Sequence, residues 1–299
     1  MRQKVICFVL LVIVHSCRCF PPFLCVLTRV RNEKEKVPSF IRYYLNEGFS
    51  RIVVLDDRSS PPVASYVQNH SRSVLVRRVN LKQDSNQHVF LRRYTQDPLL
   101  KECTWIANVD IDEFITTRRH PERTVKEEVI RIHKQTRAHA IFIPWIFFSF
   151  TPGQHVEYIP HDILWRWNHS KHHISPTSTF KTRDRYDRIE RKYIFQPKRC
   201  HKLYLHNVVC DPPVVEGTYG RHVSADYVFY NFHEPDVQAS LLAIHHYRFT
   251  SERNIYEKCS KDAINSYRKL KREMCIKVMF QSNYREIYDE TMLNKKLSR

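Results

Sequence analysis

The sequence predicts an α/β protein built on a doubly wound, mostly parallel sheet. Two observations predict it. Apolar runs of strand length alternate with segments of helical character through the first half of the chain. Acidic residues then stand where two of those runs end, at Asp56-Asp57 and at Asp110-Ile111-Asp112-Glu113. In open α/β sheets ligands collect at the carboxyl ends of the strands. With 299 residues the chain can form one large domain or two small ones around a sizeable core, and it carries no low-complexity tract.

Taken in order, Met1 to Lys4 is a positive start and Val5 to Val14 an apolar stretch of signal-peptide size. That stretch is too short for a membrane span of about 20 residues. Residues 1–19 are expected to be a signal peptide or a short signal anchor, with a buried first strand as the other reading. Phe23 to Val30 reads as the first core strand. A polar turn, Arg31-Asn32-Glu33-Lys34, leads to a helix over Val37 to Asn46, where Pro38 suits the first turn and Gly48 the end. Ile52 to Leu55 is the second strand, Pro61-Pro62 opens a short helix, and Val74 to Val79 is the third strand. A polar segment of helical spacing, Gln87 to Leu100, leads to a buried strand at Trp105 to Val109. A helix over Arg123 to Thr136 and a strand over Ala140 to Phe148 follow. Residues 149–190 are less regular. Strands are then expected at Lys192 to Gln196, Lys202 to Val209, Tyr227 to Phe232 and Leu241 to Phe249, with a long helix from Ser251. Residues 262–299 read as a basic, helical surface tail.

Composition narrows the chemistry. Only four glycines occur, and neither a G-x-G-x-x-G turn nor a P-loop is present. A bound nucleotide would have to be held by a metal and basic side chains. The formal charge of +18 favours anionic partners. The basic residues are dispersed, so no specific nucleic-acid partner is expected. Without the leader, Cys25, Cys103, Cys200, Cys210, Cys259 and Cys275 remain, an even number suited to disulfides in an oxidising lumen. Cys200 and Cys210 form the best pair. Asn69-His70-Ser71 and Asn168-His169-Ser170 are glycosylation sequons.

Burying the carboxylates after Trp105 to Val109 is costly without compensation. Residues two apart in an extended chain point the same way, so Asp110 and Asp112 can aim at one point. A hard divalent cation, Mg²⁺ or Mn²⁺, bridging to phosphates would compensate them. An ordinary acidic turn is the other reading.

Four pieces in order carry a resemblance. They are Arg31-Asn32-Glu33; Leu55-Asp56-Asp57-Arg58-Ser59-Ser60; Trp105 with Asp110-Ile111-Asp112-Glu113-Phe114; and His246-Tyr247-Arg248-Phe249-Thr250-Ser251. Lys192 to Pro197 followed by His206 adds a fifth. Over residues 23–261 the chain resembles the glycosyltransferase family 2-like group, and within it family 92 (DUF23-type). The resemblance implies a GT-A fold with a nucleotide-binding α/β half and a less regular acceptor-side half. It implies sugar transfer, with inversion, from a nucleotide diphosphate sugar such as a UDP-sugar, UDP-galactose included, to a glycan or glycoconjugate hydroxyl. By position, Asp56 with Asp57 would contact the nucleoside. Asp110 and Asp112 would serve the metal and the phosphates, and His246, ahead of His206, would complete the metal shell. Lys192 and Arg248 would stabilise the leaving diphosphate. No base transfers by position; Glu216 leads Glu113, Asp211 and Glu234 as the carboxylate that activates the acceptor. The chain departs from the family pattern at Pro61 and His245.

The signal-like start and the even cysteine count point to an enzyme of the secretory pathway, lumenal, anchored through the N-terminal segment, or secreted. The rival readings are a silent glycan-binding module on a transferase fold, and a metal-dependent nuclease or phosphatase. Trp145 is expected in the core, whereas Trp165 and Trp167 are candidates for one-sided exposure. The histidines beside Cys200 and Cys210 fit no usual zinc spacing.

Overall fold

The computed structural model describes residues 23–67, 73–80, 98–171, 173, 188–260 and 272–295. The leader, the sequon at Asn69 and nearly all of the helix expected over Gln87 to Leu100 lie outside the described residues. Along the chain come β1 (Leu24–Val30), α1 (Val37–Asn46), β2 (Arg51–Asp57), β3 (Val74–Val79), β4 (Trp105–Asn108), β5 (Glu113–Thr117), α2 (Val125–Thr136) and β6 (Ala140–Ser149). After them come α3 (Ile159–Asp162), β7 (Trp165–Arg166), β8 (Arg188–Ile189), β9 (Arg191–Phe195), β10 (Cys200–Leu203), β11 (Val208–Cys210) and β12 (Val214–Glu216). The chain continues with β13 (Phe229–Tyr230), α4 (Glu234–Ala239), β14 (Leu242–His246), α5 (Glu252–Lys258), α6 (Arg272–Gln281) and β15 (Ile287–Tyr288).

The main sheet runs β15-β7-β6-β9-β4-β1-β2-β3. Its β3-β2-β1-β4 half is parallel throughout, as the alternating strand and helix pattern requires. Strands β1, β2 and β4 are almost wholly buried and their apolar runs show no polar alternation because both faces are covered, whereas β3 at the edge exposes Arg77 and Arg78. β9 then enters antiparallel between β4 and β6. β14 pairs parallel to β6 and antiparallel to β5. That arrangement folds the chain back over the end of β4.

Helix α1 fixes the local geometry. Its Tyr43 hydroxyl donates to the Ile115 carbonyl (2.6 Å), and its Tyr44 hydroxyl donates to the Glu113 carbonyl (2.8 Å) while accepting from the Ile115 amide (3.1 Å). The Phe114 ring packs edge-on against Phe40, Tyr43 and Tyr247. The aromatic face of α1 thus grips β5 by both backbone and side chain. Helix α2 opens with a Thr124–Glu127 capping box and closes at Arg137 in the left-handed region, φ 58°.

Several local expectations differ from the structure. The run Lys202 to Val209 is not one strand: it breaks at Tyr204 to Asn207 into the β10–β11 hairpin, closed by the expected Cys200–Cys210 disulfide. Cys25–Cys103 and Cys259–Cys275 are the other two disulfides of the described residues. The helix expected to run long from Ser251 ends at Lys258. The short helix after Pro61-Pro62 is a single 3-10 turn, Val63–Ser65.

The C-terminal residues depart furthest from the basic surface tail. After α6, the Asn283 side chain donates to the Phe150 carbonyl, the Glu286 amide to Arg166 and the Asp289 amide to Leu164. Met292 is buried, and Lys295 reaches Glu47 in the interior. This strap is part of the core. Among the described residues no helix is long and apolar enough to cross a membrane.

Candidate active site

Three backbone connections bring the acidic turn, the late histidine and a lysine together at the end of β4. The turn closes where the Glu113 amide donates to the Asp110 carbonyl (3.1 Å), with the Glu113 carboxyl accepting from the Asp110 amide (2.8 Å). β14 places His246 opposite Glu113, and the Tyr247 amide donates to the Asp112 carbonyl (2.8 Å). β9 pairs Tyr193 with Asn108, so Lys192 lies beside the end of β4. Asp110, Asp112, Lys192 and His246 therefore share one site.

The side chains complete it. Lys192, fully buried, donates to Asp110 Oδ2 (2.9 Å) and stands 3.7 Å from Glu113 Oε1. Lys258 at the end of α5 donates to Asp112 Oδ2 (3.0 Å) and to the Arg248 carbonyl (2.6 Å). Lys36, which precedes α1, stands 3.5 Å from the same Asp112 oxygen and 2.9 Å from Glu33. His246 Nε2 lies 3.7 Å from Asp112 Oδ1, with its ring on Trp145 and Phe147.

These contacts set the charges. Desolvation pushes the Asp110 carboxyl up, but the Lys192 ammonium outweighs it and leaves the group below the usual carboxylate range. Desolvation is likewise overridden at Asp112, where Lys258 and Lys36 hold the carboxyl far down. Glu113 is the reverse: burial dominates Lys192 and raises it well above the usual carboxylate range. Burial pushes His246 down to about 3, and its imidazole is neutral at physiological pH. Three ammonium groups thus face the carboxylates of Glu33, Asp110 and Asp112, beside the buried Glu113.

A divalent cation fits this donor set without a protein cage. Two ligands each about 2.1 Å from one ion stand about 3 to 4 Å apart, and ions serving phosphates keep only one or two protein carboxylates. Asp112 Oδ1 and neutral His246 Nε2, 3.7 Å apart, meet that span. Half-exposed Asp110 stands beside them. Among the described residues no group of three or more His, Cys, Asp or Glu side chains could hold a metal by itself. Buried polar atoms without a hydrogen-bond partner also gather here: Glu113 Oε1, Trp145 Nε1 and His246 Nδ1.

Other expected residues are placed differently. Asp56 is buried, and its oxygens accept from the Ser59 amide (2.8 Å), the Val63 amide (3.0 Å) and Arg78 (2.8 Å). It holds the loop after β2, where the sequence reading had it contact a nucleoside. Asp57 pairs with Arg29 and Arg58. Thr28 Oγ1, Arg31 Nη1 and Tyr66 Oη, near that loop, are buried without hydrogen-bond partners. Arg248 lies over the Phe249 ring, and its charge reaches His246.

Glu216 is not placed to activate an acceptor beside Asp110 and Asp112. Its carboxylate accepts from the amides of Thr218 (2.7 Å), Tyr219 (3.1 Å) and Arg221 (3.3 Å) and organises the turn after β12. Gly217 is required there, because a Cβ would stand 2.9 Å from the Phe142 carbonyl oxygen. Arg166 Nη1 donates to both carboxylate oxygens of Glu234, and Asp211 lies exposed beyond the β10–β11 hairpin. His206 lies instead on Trp145 (ring centroids 5.2 Å apart), with Nδ1 donating to the Arg191 carbonyl (3.0 Å) and Nε2 3.7 Å from Glu190. Glu190 and Lys192 are two residues apart and point to one face of the extended chain.

Sequence reasoning missed Lys36, Lys258 and Glu190. Each is a single charged residue beside an element end, with no motif of its own. Lys36 alone had a neighbouring signal, the Arg31-Asn32-Glu33 turn before a helix.

The sequence profile of glycosyltransferase family 92 matches residues 24–283. No curated protein matches the chain. Among solved structures, S. aureus TarS matches at 14% identity and a TM-score of 0.33, over 58% of this chain and 28% of its own. Rv0371c from Mycobacterium tuberculosis H37Rv matches at 12% identity and a TM-score of 0.27, over 42% of this chain and 67% of its own. Its complex with manganese matches at 11% identity and a TM-score of 0.28, over 42% and 66% respectively.

Proposed function

The chain belongs to glycosyltransferase family 92, and from that premise we propose that it moves a sugar from a UDP-sugar to a glycan or glycoconjugate hydroxyl, with inversion and with Mn²⁺ or Mg²⁺. One observation carries the reading: Asp110, Asp112, Lys36, Lys192, Lys258 and His246 converge where β4 ends. The cation would be held by Asp112 and His246, with Asp110 beside them, and would supply Lewis-acid stabilisation of the leaving diphosphate.

The charge balance supports this donor. The three ammonium groups are already matched by Glu33, Asp110 and Asp112. A site of that balance suits a divalent ion and a diphosphate entering together, since their charges cancel. Lys258, the ammonium of the three that is partly exposed, faces charge developing on the leaving group.

Activation of the acceptor hydroxyl falls to Glu190 with His206. With Nδ1–H engaged by the Arg191 carbonyl, His206 presents Nε2 as an acceptor beside Glu190. Burial, with Lys192 nearby, keeps His206 below its ordinary pKa and therefore neutral. Glu190 and Lys192 then face the acceptor and the donor from one strand. The three disulfides suit folding in the lumen of the secretory pathway.

The test is hydrolysis or transfer of a panel of UDP-sugars, UDP-galactose included, by the full chain with Mn²⁺. Wild type is expected to turn over at least one donor, with Asp110→Ala and Asp112→Ala each at least about 100-fold slower, in line with the loss of a preorganised electrostatic group. Turnover undiminished in both variants would overturn the reading.

A further inference from the structure

A groove of about 430 Å³ opens beyond the far end of β6 and is lined in part by Thr151, Gln154, Asp162, Trp165 and Tyr288. Its place follows from strand register. Residues directly opposite in an antiparallel pair share a face. Trp165 lies opposite both Ser149 of β6 and Tyr288 of β15. Side chains two apart on a strand also share a face, so Trp145, Phe147 and Ser149 point the same way. Trp145 and Phe147 are the rings that carry His246. The Trp167 ring, whose backbone amide donates to the Phe147 carbonyl, packs on Phe147 with centroids 4.7 Å apart and links the two regions. The groove and the acidic cluster therefore lie on one face of the sheet. At about 3.3 Å per residue, the four steps from Trp145 to Ser149 cover about 13 Å along β6.

The groove has the chemistry of a sugar-binding surface. Trp165 and Tyr288 meet edge to face with ring centroids 5.4 Å apart, and Tyr288 is 50% exposed. Such rings bury an apolar face while keeping a polar edge in water, which suits the C–H face and hydroxyl rim of a pyranose. Polar groups are already fixed beside them. Asp162 Oδ2 accepts from the amides of Glu157 (2.7 Å) and Tyr158 (2.6 Å), and the Gln154 amide nitrogen donates to the Asp162 carbonyl. The Asp162 carboxylate and the Gln154 side-chain carbonyl are held as acceptors for hydroxyl donors at little further ordering cost. Among the described residues no cationic side chain lines the groove. With Asp162 as the charged group of the lining, the groove suits an uncharged sugar better than an acidic one.

We propose that the Trp165–Tyr288 groove is a remote subsite for a neutral pyranose residue of an extended glycan acceptor whose other end reaches the acidic cluster. This deepens the transferase reading and rests on it for the word acceptor, but the binding site stands or falls separately. A span of about 13 Å along β6 alone, read from the strand rise, requires an acceptor longer than a disaccharide.

The experiment measures binding of the full-length chain to an array of neutral oligosaccharides from disaccharide to hexasaccharide, and in parallel its affinity for UDP with Mn²⁺. Wild type and Asp112→Ala are expected to retain at least one oligosaccharide longer than a disaccharide. Trp165→Ala and Tyr288→Ala are each expected to lose at least tenfold in that affinity with UDP affinity unchanged. Tyr288 is half exposed on a two-residue edge strand, so its variant keeps the test valid if Trp165→Ala does not fold. Retention unchanged in Tyr288→Ala, or no neutral oligosaccharide bound at any length, overturns the proposal. Groove-dependent glycan binding in a chain that does not bind UDP would instead keep the subsite and remove the transferase reading.

Discussion

At the scale of single residues, Asp112 concentrates the electrostatics of the site. One oxygen takes Lys258 and Lys36, and the other faces His246. Asp112→Ala leaves two buried or nearly buried ammonium groups without their shared partner, a change worth roughly 3 to 5 kcal/mol where charges are desolvated. Loss of metal-dependent nucleotide binding is therefore expected together with a lower melting temperature, both read on one preparation. Glu190→Gln should behave differently. It keeps shape and removes only the carboxylate beside His206, so transfer should fall by about 100-fold or more, the scale of general-base catalysis. UDP affinity should stay within about twofold, the reach of a distant surface change. Equal losses in binding and turnover would remove Glu190 from the acceptor side. The acidic motif was legible because two aspartates after an apolar run are expensive to bury. Glu190 was not, because nothing in the sequence shows that β10 and β11 fold back to set His206 on Trp145.

At the scale of elements, the site depends on α5 being short. Lys258 is its last residue, and the next residue, Cys259, is bonded to Cys275 of α6. The disulfide fixes the position from which the ammonium reaches Asp112. The paired change Cys259→Ser with Cys275→Ser should lower affinity for UDP and Mn²⁺ by about tenfold, the effect of losing one hydrogen bond to a charged group. Circular dichroism should show the sheet retained, and Lys258→Gln should reproduce the loss without affecting the disulfide. Affinity unchanged in both would detach α5 from the donor side. The strands β1 to β4 and the helix α1 were legible from apolar runs, Pro38 and Gly48. The strand β5 was not, since Glu113 to Thr117 follows the acidic turn with no break in the sequence. Only pairing with β14 and the α1 tyrosines makes it a strand.

At the scale of the whole molecule, the C-terminal strap is tied to the end of β5 and to β7 through buried charges. Arg118 and Arg166 are both buried on Asp289, and Arg166 also holds Glu234. Desolvation pushes Asp289 up, but Arg118, His245 and Arg166 hold it far below the usual range. A carboxyl depressed in the folded state contributes stability that is fully present above its unfolded value of about 3.9 and is lost as pH falls through its folded value. Wild type should therefore lose stability steadily below about pH 4. Asp289→Asn should be roughly 3 to 5 kcal/mol less stable at neutral pH, as for a broken buried pair, and should show a shallower fall on acidification. Denaturant midpoints between pH 3 and 7 check both. The sequence reading had assigned these residues to a surface tail because their basic composition outweighed a single aspartate. The strap is fixed by partners more than a hundred residues away along the chain.

The central claim, that the turn after β4 holds a divalent cation and a nucleoside diphosphate together, is tested most directly by isothermal titration of UDP into the full chain with and without Mn²⁺. Binding that requires Mn²⁺, and that weakens at least tenfold in Asp112→Ala, is the predicted result. UDP binding of equal strength without metal, unchanged in Asp112→Ala, would contradict it.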